Sequence, residues 1–160
     1  MSTRANIVIN FGESRVWVYN HHDGYPEYRL HHLMDMLQEV INTNEELGRQ
    51  IEKCDDKMQQ GWRKYWWCTD TLKELSTLLT SPNEHGYELT AKRHGDIEYL
   101  YEFVGPTSCE SFEEGNEYIE LRVWETSYDE THDQLYKTFK ITQSQIVNHV
   151  SKIKEAAQYD

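Results

Sequence analysis

Long hydrophobic runs are absent from this sequence. No stretch of its 160 residues approaches the roughly 18 consecutive apolar residues that mark a membrane-spanning helix. The first four residues, MSTR, also lack the apolar core of a secretory signal peptide. We therefore expect a cytoplasmic protein that has no membrane partner.

Cysteine is scarce, and recognisable catalytic motifs are missing. The three cysteines, Cys54, Cys68 and Cys109, are odd in number and form no CxxC pair, so they predict neither a disulfide framework nor a zinc ribbon. The sequence also contains no GxSxG elbow, no glycine-rich phosphate loop and no HExxH motif. We therefore predict free thiols and a protein that is not an enzyme and uses no cofactor.

Basic residues are outnumbered by acidic ones, 16 to 28, which gives a net charge of −12. The imbalance is concentrated in residues 96–133, where twelve acidic side chains face a single basic one, Arg122. Such a field repels nucleic-acid phosphates and attracts basic surfaces. The charge pattern therefore argues against direct nucleic-acid binding and favours a basic protein as the partner.

The hydrophobic periodicity predicts one α+β domain over residues 1–160. Alternating residues predict an N-terminal β-hairpin over 4–20, and apolar residues at three- and four-residue steps then predict three helices, with stripes over about 30–41, 47–58 and 72–79. Further alternation predicts antiparallel strands over 87–91, 97–104, 118–126 and 135–141, followed by a C-terminal helix from about residue 144. This order of elements is typical of the α+β class.

Residues 19–35, YNHHDGYPEYRLHHLMD, combine four histidines with three carboxylates. Zinc and iron sites need three or four converging ligands, and His21, His22, Asp23 and His31 are the candidates here. The spacing matches no known metal motif, so we favour a structural DGYP turn followed by a solvated helix face. A metal-free binding site and a metal-dependent hydrolase at His21 and Asp23 remain alternatives.

The stretch WRKYWWC, residues 62–68, contains three of the five tryptophans. Such residues most often fill the junction between two helices, and we favour that interpretation. Aromatic side chains interleaved with basic ones also form stacking sites for bases. The alternative function is therefore a binder or sponge for a small ligand such as a nucleotide signal, with the stacking residues Trp62, Tyr65, Trp66 and Trp67.

The acidic segment has a plain interpretation, which is protection of an edge strand against aggregation. A sharper interpretation comes from spacing. Glu98 and Glu102 lie on one face of a predicted strand, where successive side chains of the same face are about 7 Å apart. Glu120 joins them if 97–104 pairs with 118–126. This spacing resembles that of phosphates along DNA. The predicted partner-binding residues of such a DNA mimic are Glu98, Glu102, Glu113, Glu114, Glu117, Glu120, Asp129 and Glu130.

Two motifs near the N-terminus carry a family resemblance. Residues 2–7 are STRANI, and residues 19–27 have the pattern YxHxDGYPE. Together they resemble the start of a family of small, uncharacterised phage and prophage proteins, in which a STRA strand precedes a hairpin, this turn and a helix. DIEYLY, residues 96–101, is similar to a later strand of that family. The resemblance covers about residues 2–30 well and implies a phage origin.

A phage origin leads to the main functional hypothesis. Small phage proteins without enzymatic motifs often bind and block host machinery, as anti-CRISPR and other counter-defence proteins do. We therefore expect a non-enzymatic inhibitor in the bacterial cytoplasm that uses its acidic surface against a host nucleic-acid-handling or defence protein. This hypothesis is an analogy from origin and not a deduction from chemistry.

Overall fold

The computed structural model describes residues 3–11, 13–43, 57–81, 87–105, 118–127 and 132–142. These residues form the strands β1 (Ala5–Phe11), β2 (Ser14–Asn20), β3 (Tyr87–Thr90), β4 (Tyr99–Val104), β5 (Tyr118–Glu125) and β6 (Gln134–Thr142). They also form two helices, α1 (Pro26–Thr43) and α2 (Lys57–Thr80). Over the described residues, neither helix is both long enough and apolar enough to cross a membrane.

The six strands form one mixed sheet with the order β3-β2-β1-β4-β5-β6. The central pair, β1 and β4, is parallel, with Ala5 opposite Tyr99 and Ile9 opposite Phe103. All other neighbouring strands are antiparallel. The first strand of the chain therefore lies at the centre of the sheet.

The predicted architecture is wrong in its arrangement. A hairpin, three helices and a set of antiparallel strands were expected, whereas the structure is a six-stranded mixed sheet with two helices in its described part. The physical reason is that alternation is a local signal, and the pairing of β1 with β4 joins segments far apart in the chain. The predicted C-terminal helix, from residue 144, lies outside the described residues.

Helix α2 runs through the stretch that was predicted to separate two helices. The prediction placed separate helices around the stripes 47–58 and 72–79, but α2 is continuous through Gly61 and buries Thr71. A helical glycine costs about 1 kcal/mol relative to alanine. Burial of a single large apolar side chain contributes about 1.5–3 kcal/mol, so Trp67 and Leu72 outweigh that cost. Most of the predicted second stripe, residues 47–56, lies outside the described residues.

Both helices pack on the same face of the sheet. Strand residues that alternate toward this face meet two helical stripes and form the main buried core. The strands contribute Ile7, Ile9, Tyr101, Phe103, Leu121 and Val123, and the helices contribute Leu30, Leu33, Met34, Leu37, Leu72 and Leu75. The opposite face, which we call the open face, carries the remaining alternate residues of the strands.

One connection crosses the open face. Because β3 and β4 are separated in the sheet by β2 and β1, the chain between them, residues 91–98, passes over these two strands. We call it the crossover segment. Its Ile97 packs with Val8, Tyr19 and Leu100 in a small second core. The crossover segment therefore covers one part of the open face, and Glu102, Glu120 and Arg122 lie on the same face beyond that core.

Candidate functional site

The DGYP turn packs closely against the start of β1 and against β4. Asp23 has a φ of 53°, a left-handed conformation that aspartate tolerates better than most residues. Gly24 donates from its backbone to Thr3 at 2.9 Å, and the Tyr101 hydroxyl donates to the Gly24 carbonyl. A Cβ at Gly24 would lie 2.8 Å from the Cβ of Ala5. The turn therefore fixes the start of α1 against strands β1 and β4.

The histidines of the same stretch have separate partners. His21 Nε2 lies 2.8 Å from Glu88, and His32 Nδ1 lies 2.8 Å from the hydroxyl of Tyr87. His31 is half-buried on α1, and Asp23 is exposed. Among the residues that the structure describes, no group of three histidine, cysteine or carboxylate side chains converges closely enough to hold a metal ion. The alternative of a metal-dependent hydrolase at His21 and Asp23 thus has no convergent ligand set in this part of the chain.

The aromatic residues of WRKYWWC do not form one stacking surface. Successive helical residues are rotated by about 100°, so α2 places Trp66 on the outside, 48% exposed, and Trp67 in the core, 2% exposed. Tyr65 is half-buried. The side chain of Trp62 lies outside the described part. Trp67 therefore cannot stack on a ligand together with Trp66, which corrects the predicted four-residue site.

Only three of the eight predicted acidic contact residues lie in the described part of the structure. Glu98 is exposed, whereas Glu102 and Glu120 are half-buried on β4 and β5. The other predicted contact residues, Glu113, Glu114, Glu117, Asp129 and Glu130, lie outside the described residues. Those residues that are described contain 14 acidic and 12 basic side chains, so they account for only −2 of the net charge.

Arg122 connects the two half-buried glutamates. It faces Glu102 directly across the β4–β5 pair and donates to Glu102 at 3.4 Å from Nη1 and to Glu120 at 2.7 Å from Nε. The indole of Trp124 donates to the same oxygen of Glu102 at 3.3 Å. The hydrogen bond to Glu120 raises the pKa of Arg122, against the effect of partial burial. The three charged groups form a cluster with one net negative charge, and Lys140 of β6 lies directly opposite Glu120.

The crossover segment is held by a second polar cluster. Asp96 accepts hydrogen bonds from Tyr19 at 2.9 Å and from Arg4 at 2.8 Å. Partial burial acts to raise the pKa of Asp96, but the bond from Tyr19 and the charge of Arg4 outweigh it and lower the pKa. The ring of His94 stacks on Tyr19 with centroids 4.0 Å apart. These contacts hold the crossover segment against β1 and β2, so that it covers part of the open face.

Sequence reasoning missed Arg29 entirely. This arginine is 2% exposed and lies on the core side of α1. A signal was present, because Arg29 falls in the same helical stripe as Leu33, Leu37 and Val40, at steps of four, four and three. A charged residue in an apolar stripe indicates either a helix edge or a buried charge with a special environment.

Comparison with known proteins gives no relative to this chain. No protein-family model matches the sequence, and neither the curated proteins nor the solved structures contain a match. One feature of the described residues bears on function, the carboxylates of the open face.

Proposed function

We propose that this protein is a non-enzymatic, phage-derived inhibitor that binds a basic surface on a bacterial nucleic-acid-handling or defence protein, as anti-CRISPR proteins do. One observation carries the proposal: Glu102 and Glu120 lie on the sheet face opposite the helices, and Glu98 is exposed directly before β4. In the described part of the chain, neither helix packs on this face. The N-terminal resemblance to phage proteins supplies the biological setting.

The carboxylates of the open face keep free acceptor capacity. Glu102 and Glu120 each bond through one oxygen, and within the described residues the second oxygen of each has no partner. Glu98 has no ion pair in that part of the structure. Arg122 holds the two half-buried carboxylates in position. A partner's lysine or arginine therefore meets oriented acceptors rather than flexible side chains, which lowers the entropic cost of binding.

Aromatic rings on the same face suit a cationic partner. Trp17 and Trp124 both pack at the edge of the small core formed by Val8, Tyr19, Ile97 and Leu100. Tryptophan attracts lysine and arginine through its ring face, with about 0.5–2 kcal/mol per contact. The combination of indoles and carboxylates therefore favours arginine- or lysine-rich protein surfaces over neutral ones.

Long-range attraction comes largely from other parts of the chain. The sequence places four glutamates between β4 and β5 and three more acidic residues between β5 and β6. A concentrated negative charge accelerates encounter with a basic partner and makes binding sensitive to salt. The oriented carboxylates of the open face then supply the specific contacts.

Affinity capture from bacterial lysate tests the proposal. The wild-type protein is compared with the triple variant Glu98→Gln, Glu102→Gln, Glu120→Gln, which removes three charges and keeps the side-chain shape. The matched control is Glu13→Gln, Glu39→Gln, Asp70→Asn, which removes three exposed charges elsewhere. We expect a basic host protein that the wild type and the control retain at low salt, that high salt releases, and that the open-face variant loses. Equal capture by both triple variants would rule out the open face as the binding site.

A further inference from the structure

Two histidines lie against the ring of Tyr19 on the open face. The ring of His94 stacks on it with centroids 4.0 Å apart, and the ring of His21 meets its edge with centroids 4.4 Å apart. His94 belongs to the crossover segment, whereas Tyr19 is part of β2 and His21 directly follows that strand. The three rings therefore join the crossover segment to the strand beneath it.

Each of the two histidines also faces a carboxylate. Nε2 of His21 lies 2.8 Å from Oε2 of Glu88 on β3, and Nδ1 of His94 lies 3.9 Å from Oδ1 of Asp96. These four side chains are between 38% and 62% exposed, so they exchange protons with solvent without a change in the fold. We call the five residues, which include Tyr19, the Tyr19 cluster.

The contact of His94 with Asp96 includes a competing cation. Arg4, directly before β1, donates to Oδ2 of Asp96 at 2.8 Å, whereas His94 faces the other oxygen. Partial burial acts to raise the pKa of Asp96, but the hydrogen bond from Tyr19 and the charge of Arg4 lower it. Asp96 therefore stays ionised at neutral and mildly acidic pH. A charged His94 gains from this carboxylate and, through cation–π attraction, from the ring of Tyr19.

The contact of His21 with Glu88 is shorter and has a weaker competitor. The ring of His22 lies 6.1 Å from that of His21, more than twice the 2.8 Å between His21 and the carboxylate. Because Coulomb energy falls with distance, attraction to Glu88 outweighs repulsion from a charged His22. The pair acts where the crossover segment begins, since this segment directly follows β3.

We propose that the Tyr19 cluster is a pH-sensitive clamp that holds the crossover segment against β1 and β2 more tightly in mild acid than at neutral pH. Histidine changes its charge between about pH 5 and pH 8. Protonation turns the contact of His21 with Glu88 into an ion pair and places a cation beside Asp96. An imidazolium next to a carboxylate is favoured over a neutral imidazole, so the attachment strengthens as the pH falls through this range.

The clamp controls access to the small second core. The crossover segment places Ile97 against Val8 and Leu100, and all three side chains are buried. Opening of the segment exposes them on the open face. The clamp does not rest on the proposed inhibitor function, because all of its contacts lie within the chain and its test needs no partner.

Hydrogen exchange of single amides in the intact protein measures opening of the crossover segment. The amide of His94 donates to Oδ1 of Asn6 at 2.7 Å, and that of Glu98 donates at 2.9 Å to the carbonyl directly before β1. The amide of Gly105, which bonds at the other end of β1, is the reference for global opening. After correction for intrinsic rates, we expect the protection of His94 and Glu98 relative to Gly105 to be at least about threefold higher near pH 5.5 than near pH 8. Equal or lower relative protection in acid would overturn the clamp.

Variants separate the clamp from the general effect of pH. The double variant His21→Gln, His94→Gln keeps polar side chains that cannot become charged, and its relative protection is expected to be the same at both pH values. The matched control is His31→Gln, at a half-buried histidine on α1, which should retain the wild-type ratio. Should the double variant fail to fold, His21→Gln alone changes a side chain that is 41% exposed and is expected to reduce the ratio. A wild-type ratio in the folded variant would contradict the proposal.

Discussion

Arg93 and Asp133 form a paired hydrogen bond, Nη1 to Oδ2 at 2.5 Å and Nη2 to Oδ1 at 3.0 Å. Both side chains are largely shielded, 13% and 12% exposed. Asp133 also accepts from the backbone of Ser127 at 2.9 Å. Arg93 belongs to the crossover segment, and Asp133 directly precedes the edge strand β6. The pair therefore connects the crossover segment to the β6 edge of the sheet.

Asp133→Asn is expected to destabilise the fold. The substitution leaves the shielded Arg93 without its carboxylate, and a hydrogen bond to a charged group contributes about 1.5–3 kcal/mol. We expect a loss of that order in the free energy of unfolding, measured by urea titration. Asp70→Asn, at an exposed acid on α2, is the control and is expected to change stability by less than about 0.5 kcal/mol.

The same pair predicts a pH dependence. The hydrogen bonds from Arg93 hold the pKa of Asp133 below its ordinary value of 3.8, against the effect of partial burial. A lowered carboxyl pKa stabilises the fold above the ordinary value, and that stability is lost as the pH falls through the lowered pKa. Below about pH 5 the wild type should therefore lose stability more steeply than Asp133→Asn. Parallel curves in urea titrations from neutral pH to pH 2 would contradict the assignment.

Gly24 and Gly95 form a matched pair for the turn at the start of α1. A Cβ at position 24 would meet the Cβ of Ala5 at 2.8 Å and the carbonyl of Thr3 at 3.1 Å, whereas a Cβ at position 95 would meet nothing within 4 Å. We expect Gly24→Ala to cost roughly 1–3 kcal/mol through overpacking and Gly95→Ala to be nearly neutral. The midpoints of thermal unfolding compare the two variants directly, and equal midpoints would show that the turn is not closely packed.

Substitution of the two adjacent tryptophans of α2, Trp66 and Trp67, is expected to change the stability of the fold by different amounts. Trp67→Ala removes a buried ring from the core and should cost about 3–5 kcal/mol, whereas Trp66→Ala removes a half-exposed ring and should cost far less. Acrylamide should quench a larger part of the fluorescence in the Trp67→Ala variant, which retains Trp66, than in the Trp66→Ala variant. Similar stability of the two variants would place both rings on the surface.

Several strands could be located from sequence because alternation is a local property. Ile119, Leu121 and Val123 alternate with Glu120 and Arg122, and the observed β5, Tyr118–Glu125, differs by one residue from the predicted 118–126. The predicted condition that brings Glu120 beside Glu102, pairing of the two strands, is also met. The position of β1 beside β4 could not be predicted, since no short-range pattern encodes it.

The sites were harder to predict, because each depends on a neighbour from another element. Alternation along the strands placed Glu102 and Glu120 on one face. The hydrogen bonds from Arg122 to both glutamates follow only from the strand register, which places Arg122 directly opposite Glu102. Arg29 lies in the apolar stripe of α1, but its burial also depends on Tyr87, which is remote in sequence and contacts the guanidinium. The sequence pattern therefore identified the acidic residues and missed the buried arginine.

The most direct test of the inhibitor proposal uses two substitutions of opposite charge on the open face. Arg122→Gln removes the cation that shares Glu102 and Glu120, and the double variant Glu102→Gln, Glu120→Gln removes the acceptors. The affinity of the captured host protein for each variant is measured by titration calorimetry at low salt. We predict that Arg122→Gln binds roughly three- to tenfold more tightly, because the more negative face outweighs the lost orientation of the carboxylates, and that the double variant binds at least that much more weakly. Unchanged affinity in both variants, or a change in the same direction, would contradict a basic partner at this face.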